Sequence, residues 1–289
     1  MKNILFLTDF SEAANAAKNA CLSICEQTNS NLHALHALDA VNKYMTMALS
    51  SSGDPMVPGL EPQMMLKIVE QHKDQAQKEM DKLKLEFDSF GLQIETFVSS
   101  NDMLDDVNDY CTNKHIDMIV MGTHGSSGFK EAFVGSNAQR IVRYAKVPVL
   151  TIRHDVVPFK VEKMLFASNF KEDAINKELP RINEMADLFN AKLNLVYINT
   201  PAYFENTPKS EKRIKEVLLS YRLDQNDLTI FNDYSIEDGI IHCGEEQKAD
   251  VLVLVTHGYS GIKKWLSDDV TETVVNHSAI PVLSFHIRD

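Results

Sequence analysis

The sequence predicts an α/β protein made of two tandem copies of one unit, each an open parallel sheet wrapped by crossover helices. Two observations carry this. Short runs rich in Ile, Val and Leu alternate with longer stretches of helical period, as expected when a helix returns the chain to lay down each next strand in the same direction. The second half also repeats the first. KMLFASNF at 163–170 superposes on NILFLTDF at 3–10 with an offset of 160, and DVLVLVTHGYSGIKKW at 250–265 on DMIVMGTHGSSGFKEA at 117–132 with an offset of 133. AIPVLSF at 279–285 matches KVPVLTI at 146–152 at that second offset. The change of offset marks a deletion in the second copy, where the first carries a long loop and a long helix. A length of 289 residues already suits two domains, and the repeat places them at 1–154 and 162–289, joined through His154 to Val161.

The elements follow in order. Asn3 to Leu7 is the first strand. Ser11 stands where an N-cap belongs, with Glu12 in the first turn, and Ala14, Ala17, Ala20, Cys21, Leu22, Ile24 and Cys25 mark the buried face of the first helix. Leu32 to Leu38 is the second strand. About two dozen residues with turn chemistry follow, SSSGDP and VPGLEP among them, and such a long connection is typically functional or mobile. Its methionines, Met45, Met47, Met56, Met64 and Met65 with the start of the next helix, suit either an apolar lid or core filling. Gln63 to Ser89 keeps helical spacing and Gly91 ends it. Leu92 to Val98, Leu104 to Lys114, Ile116 to Met121, Ser136 to Ala145 and Val147 to Ile152 then alternate strand and helix. In the second copy the first strand is Lys163 to Phe170, and a shorter helix near Ser210 to Leu223 replaces the long one.

Composition narrows the function. With 44% hydrophobic and 24% charged residues the chain is of globular type, and 29 Lys+Arg against 41 Asp+Glu give a net charge of −12. That field repels nucleic acids and anionic membranes, although backbone N–H groups at a helix N-terminus can still hold one small phosphate. Four irregularly spaced cysteines form no disulfide framework and no C-x-x-C pair. The opening MKNILFLTDFSEAA is too short in apolar residues for a signal or anchor, and no window nears the roughly 20 that span a bilayer. A cytoplasmic location is expected.

The stretch richest in chemistry is Gly122, Gly125, Gly135 and Ser136, spaced G-x2-G-x9-G-S between a strand end and a helix start. Gly122 and Gly125 permit a sharp turn and close approach to a ligand. Gly135 and Ser136 bring free helix N-terminal N–H groups and a hydroxyl beside it, where a phosphate is favoured. The same glycines would serve simply to shape a strand-to-helix turn, so both readings stand at this point. It is neither a Walker A loop, lacking Gly-Lys-Ser/Thr, nor a Rossmann fingerprint, since it follows the fourth strand. His33 and His36, three apart in a strand, point to opposite faces and cannot share a metal. His242 and Cys243 have no evident further ligand. His124 and His257 occupy equivalent turns with no acid, Ser or Cys visibly paired, which favours a conformational role.

The opening NILFLTDFSEAA, the GTHGSSG turn, GSNAQRIVRYAKVPVLTIR and the duplication together resemble the universal stress protein family over nearly the whole chain, and the glycine pattern resembles that of its ATP-binding subgroup. The resemblance implies a Rossmann-like, adenine nucleotide alpha hydrolase-like fold with five parallel strands per copy. It implies ATP as the ligand, with magnesium a possible companion of the nucleotide. Carried over by position, Thr8 and Asp9 would meet adenine and ribose, the Ala37 backbone would bond adenine, and Gly122, Gly125, Gly135, Ser136 and Asn137 would hold the phosphates, with Met121 and His124 beside them. An alternative for Asp9 is compensation of the helix dipole. The resemblance further implies an internal pseudo-dimer pairing Val147 to Ile152 with Pro281 to Phe285, and it leaves room for a homodimer.

The second copy departs where it matters: Val255 stands for Gly122, Asp268 for Gly135, Asp269 for Ser136 and Asn169 for Asp9. Two carboxylates there would repel a triphosphate, or simply cap the last helix. One nucleotide site, in the first copy, is therefore expected. Three functions compete: a nucleotide-binding stress-response regulator with slow or no hydrolysis, an ATP-hydrolysing or nucleotide-transferring enzyme, and a nucleotide-free scaffold. The first strand-to-helix turn, TDFSEAA, lacks the H-x-G-H or S-G-G-x-D-S that such enzymes need. The nearest cations, Lys130 and Arg140, are expected to be solvated, so the regulator is the reading adopted.

Overall fold

A computed structural model describes residues 1–38, 62–123, 136–153, 159–223, 225–256 and 268–287. The first copy runs β1 (Asn3–Leu7), α1 (Glu12–Thr28), β2 (Asn31–Ala37), α2 (Pro62–Ser89), β3 (Ile94–Ser99), α3 (Met103–Asn113), β4 (Met118–Gly122), α4 (Ser136–Tyr144) and β5 (Val149–Ile152). The second runs β6 (Lys163–Ala167), α5 (Asp173–Asn176), α6 (Leu179–Phe189), β7 (Lys192–Asn199), a 3-10 turn (Pro201–Tyr203), α7 (Thr207–Ser220), β8 (Asp227–Asn232), α8 (Ile236–Gln247), β9 (Val251–Thr256), α9 (Asp268–His277) and β10 (Val282–His286). All ten strands form one sheet in the order β3-β2-β1-β4-β5-β10-β9-β6-β7-β8. Neighbours within each copy are parallel, and the copies join through the antiparallel pair β5–β10, with Leu150 opposite Leu283. The expected doubly wound tandem fold and the internal strand pairing are thus observed. The expected long loop, 39–61, lies outside the described residues, as does most of the linker.

Boundaries shift by a few residues for local reasons. β3 starts later than predicted because Gly91, at φ 77°, lets the Gly91 and Leu92 N–H groups fold back onto the Asp88 and Phe87 carbonyls, closing α2 first. β6 ends at Ala167, short of Phe170, because Ser168 Oγ accepts the Phe170 N–H at 3.0 Å and Phe170 takes φ 54°. The methylene-rich strands and the small face of α1, including Ala17 and Cys21, are fully buried in one continuous core.

The duplication extends to details of bonding. Asp117, the one charge before β4, accepts the Asn3 N–H at 3.0 Å, and its counterpart Asp250 accepts those of Glu162 and Lys163 at 2.8 Å each. Each carboxylate thus satisfies N–H groups at the entry to its copy's first strand. Asn29 and Asn190 close equivalent helices in the left-handed region, both at φ 52°, as His115 and Lys248 do at φ 50° and 53°. Asp250→Ala should cost about 1–2 kcal/mol, the usual loss for charge-assisted bonds to backbone. It should lower the urea midpoint at unchanged m, and an unchanged midpoint would contradict the role given to this carboxylate.

Candidate functional site

From β1 the chain crosses to β2 on one side, and later to β4 on the other, so the carboxyl ends of β1 and β4 diverge at a topological switch point. A cavity of about 280 Å³ opens there, walled by the ends of β1, β2 and β4 and the first turns of α1, α3 and α4. Thr8, Asp9, Ala37, Met121, Gly122 and Asn137 all line it, joined by Met103, which sequence reasoning did not single out. His124, Gly125 and Gly135 lie outside the described residues, as does the side chain of Ser136, whose backbone opens α4.

The turn after β1 is built by its own side chains. Thr8 Oγ1 accepts the Phe10 N–H at 3.0 Å, Asp9 Oδ1 accepts the Ser11 N–H at 3.0 Å, and Ser11 Oγ caps α1 on Ala14. These bonds hold Phe10 at φ 60°, an unusual conformation for a bulky residue. His36 on β2 braces the turn from the side, donating Nδ1–H to the Thr8 carbonyl at 2.8 Å while its ring lies 4.6 Å from that of Phe10. Asp9 remains exposed, and a carboxylate has acceptor sites beyond the one that the turn uses. The parts of Phe10 and His36 were not read from the sequence, although the matching Phe170 was a signal for the first.

Gly122 has a more demanding reason to be glycine than ligand approach. A Cβ there would stand 2.1 Å from the Ala13 carbonyl oxygen and 2.8 Å from the Ala14 nitrogen, so the start of α1 rests directly on the backbone of β4. Arg140 also departs from expectation. Instead of being solvated, its Nη2 bonds Asp102 at 3.0 and 3.1 Å, tying α4 to the N-cap of α3. Burial alone would raise the Asp102 pKa, but the guanidinium and the capped N–H groups outweigh it and hold the carboxyl below its ordinary value. Two walls of the cavity are thereby fixed to one another.

The second copy repeats the turn and fills the cavity. Ser168 and Asn169 bond the Phe170 and Lys171 N–H groups as Thr8 and Asp9 bond theirs. By strand register and offset, however, Ile198 replaces Ala37, Val255 replaces Gly122 and Val270 replaces Asn137, and all three are buried. Arg213 closes over this end, bonding the Asn169 carbonyl at 2.5 Å and Glu205 at 2.6 Å. The side chains of Asp268 and Asp269, expected to repel a triphosphate, lie outside the described residues; the described change is one of volume.

Among the described residues no group of three or more His, Cys, Asp or Glu is placed to hold a metal. His33 meets the Tyr110 hydroxyl at 3.1 Å and His242 meets Asp233 at 2.8 Å. All four cysteines are buried and free. Burial pushes Cys25 and Cys111 up to about 12 and Cys243 to about 11, so none is a ready thiolate nucleophile. No described helix is long and apolar enough to cross a membrane.

These features define a tandem doubly wound α/β protein with an open switch-point crevice in its first copy and a filled one in its second. The chain belongs to the universal stress protein family, whose pattern it matches twice, over residues 1–153 and 163–286. It is 22% identical to universal stress protein Slr1230 of Synechocystis sp. across 99% of this chain and 100% of that one. It is 24% identical to universal stress protein MJ0531 of Methanocaldococcus jannaschii over 53% of this chain and 82% of that one. The crystal structure of a universal stress protein from Archaeoglobus fulgidus shares the fold, with TM-score 0.72 at 16% identity, covering 99% of this chain and 98% of that one.

Two outcomes follow from this geometry. Gly122→Val, which copies the second repeat into the first, should destabilise the fold by about 1–3 kcal/mol through overpacking against Ala13; a wild-type denaturation curve would contradict the close contact. Burial tends to raise the Glu205 pKa, but Arg213, with Lys171 and Lys209, outweighs it and lowers the net value. Its contribution is therefore present above the unfolded carboxyl value of about 4.3 and lost as pH falls through the lower folded one. Glu205→Gln should flatten the dependence of stability on pH below about 4.3, as read by thermal melts across that range.

Proposed function

We propose that the first copy binds an adenine nucleotide, ATP, in the switch-point crevice, and that the chain acts as a stress-response regulator whose state depends on occupancy. The observation that carries this reading is the meeting of six residues named from the sequence around one cavity. In it Thr8 and Asp9 face adenine and ribose, the Asp9 carboxylate accepting from vicinal hydroxyls. The Ala37 backbone pairs with the adenine edge, and Met121 supplies an apolar contact. Gly122, Gly125, Gly135, Ser136 and Asn137, with His124 in the same turn, hold the phosphates at the α4 N-terminus. Any magnesium is carried by the nucleotide. The units are 1–154, which binds, and 162–289, which does not.

Hydrolysis is slow or absent in this proposal. Phosphoryl transfer needs a positioned base or a cation on the departing charge. The described residues around the crevice offer Asp9, engaged in its turn, and Arg140 is engaged with Asp102. The net charge of −12 supports a small ligand over nucleic acid. We place the protein in the cytoplasm.

Calorimetric titration of the intact chain with ATP and AMP should give a micromolar Kd for ATP. Gly125→Ala with Ser136→Ala should weaken it at least tenfold. Absence of binding at millimolar ATP would favour the nucleotide-free scaffold. Phosphate release above about 1 s⁻¹, near the low end of enzyme turnover, would establish the enzyme reading instead.

A further inference from the structure

The two copies meet across a pseudo-twofold axis that passes through Leu150 and Leu283, equivalent residues paired with each other. On either side, Val149 faces Ser284 and Thr151 faces Val282. Exchanging one copy for the other leaves this strand pairing unchanged in kind: a valine still faces a small hydroxyl residue. The strands therefore do not distinguish an unlike pair of copies from a like one.

The helices beneath them do. Gln139 on α4 and Glu272 on α9 are equivalent positions, and they touch: Gln139 Nε2 donates to Glu272 Oε1 at 2.5 Å. Beside them a cavity of about 20 Å³ is lined by Gln139, Glu272 and Arg143, among others. The counterpart of Arg143 at the offset of 133 is Asn276. Each copy thus brings one amide and one charge to the axis, a cation from the first and a carboxylate from the second.

We infer that Gln139 and Glu272, with Arg143 beside them, make each copy's pairing face fit the other copy in preference to its like. The unlike pair forms a charge-assisted hydrogen bond. Two second copies would set one Glu272 carboxylate against another at the axis, a repulsion made larger by partial burial. Two first copies would pair amide with amide and bring two Arg143 side chains to one small cavity. The linker adds a high local concentration of the correct partner, and the contact supplies the discrimination that a tether lacks.

Each like arrangement can be written into the intact chain. Gln139→Glu creates the carboxylate pair and Glu272→Gln the amide pair, while Gln139→Glu with Glu272→Gln exchanges the partners across the axis. Thermal melts near neutral pH should show Gln139→Glu lowest, with Tm down by roughly 2–5 °C. Glu272→Gln should be intermediate, and the exchange should recover at least half of the loss of Gln139→Glu. An unchanged Tm for Gln139→Glu would overturn the inference. So would an exchange variant as unstable as the single change, because that would mean each side chain acts within its own copy.

Discussion

A parallel sheet built by right-handed crossovers ends on strands with one neighbour, and the uncovered side of such a strand must be matched or hidden. In this chain that requirement falls on β5 and β10, which satisfy each other as the antiparallel seam of a ten-stranded sheet. Both copies are oriented by this one seam. It sets the helices α4 and α9 against each other and leaves the carboxyl ends of β1 and β4 pointing away from the join. The crevice of the first copy is open in that direction because pairing of the copies uses a different edge.

Within the copies, the difference between an open and a filled crevice comes down to side-chain volume on a shared backbone plan. Ala37, Gly122 and Asn137 leave room; Ile198, Val255 and Val270 occupy it. The second copy also opens its first helix differently, with a four-residue α5 ahead of α6 where the first has one unbroken α1. A valine at the position of Gly122 is incompatible with the contact that Ala13 makes, so the interrupted helix and Val255 are physically consistent with each other.

Much of the fold was legible because the information is local and repeated. Strand and helix periods, Ser11 as a cap, Gly91 as a stop and the two constant offsets need no knowledge of distant contacts. Six of the candidate site residues could be brought to one crevice because strand ends are easy to locate. What escaped is what depends on partners far along the chain. Arg140 reads as a solvated cation until Asp102 is known to be beside it, and Gly122 reads as a ligand glycine until the Ala13 carbonyl is found against it. His36 looked like half of an unlikely metal pair, whereas it braces the turn that holds Thr8. Charge was also the wrong place to look for closure of the second copy, since the described difference is apolar bulk.

The left-handed phenylalanine shows what duplication makes measurable. Phe10 and Phe170 hold the same strained turn, with the same pair of side-chain bonds, although only one of them borders an open crevice. A conformation retained where there is no cavity to serve belongs to the architecture. The chain is in this sense its own internal reference: features shared by equivalent positions report on folding, and features that differ report on what the first copy does and the second does not.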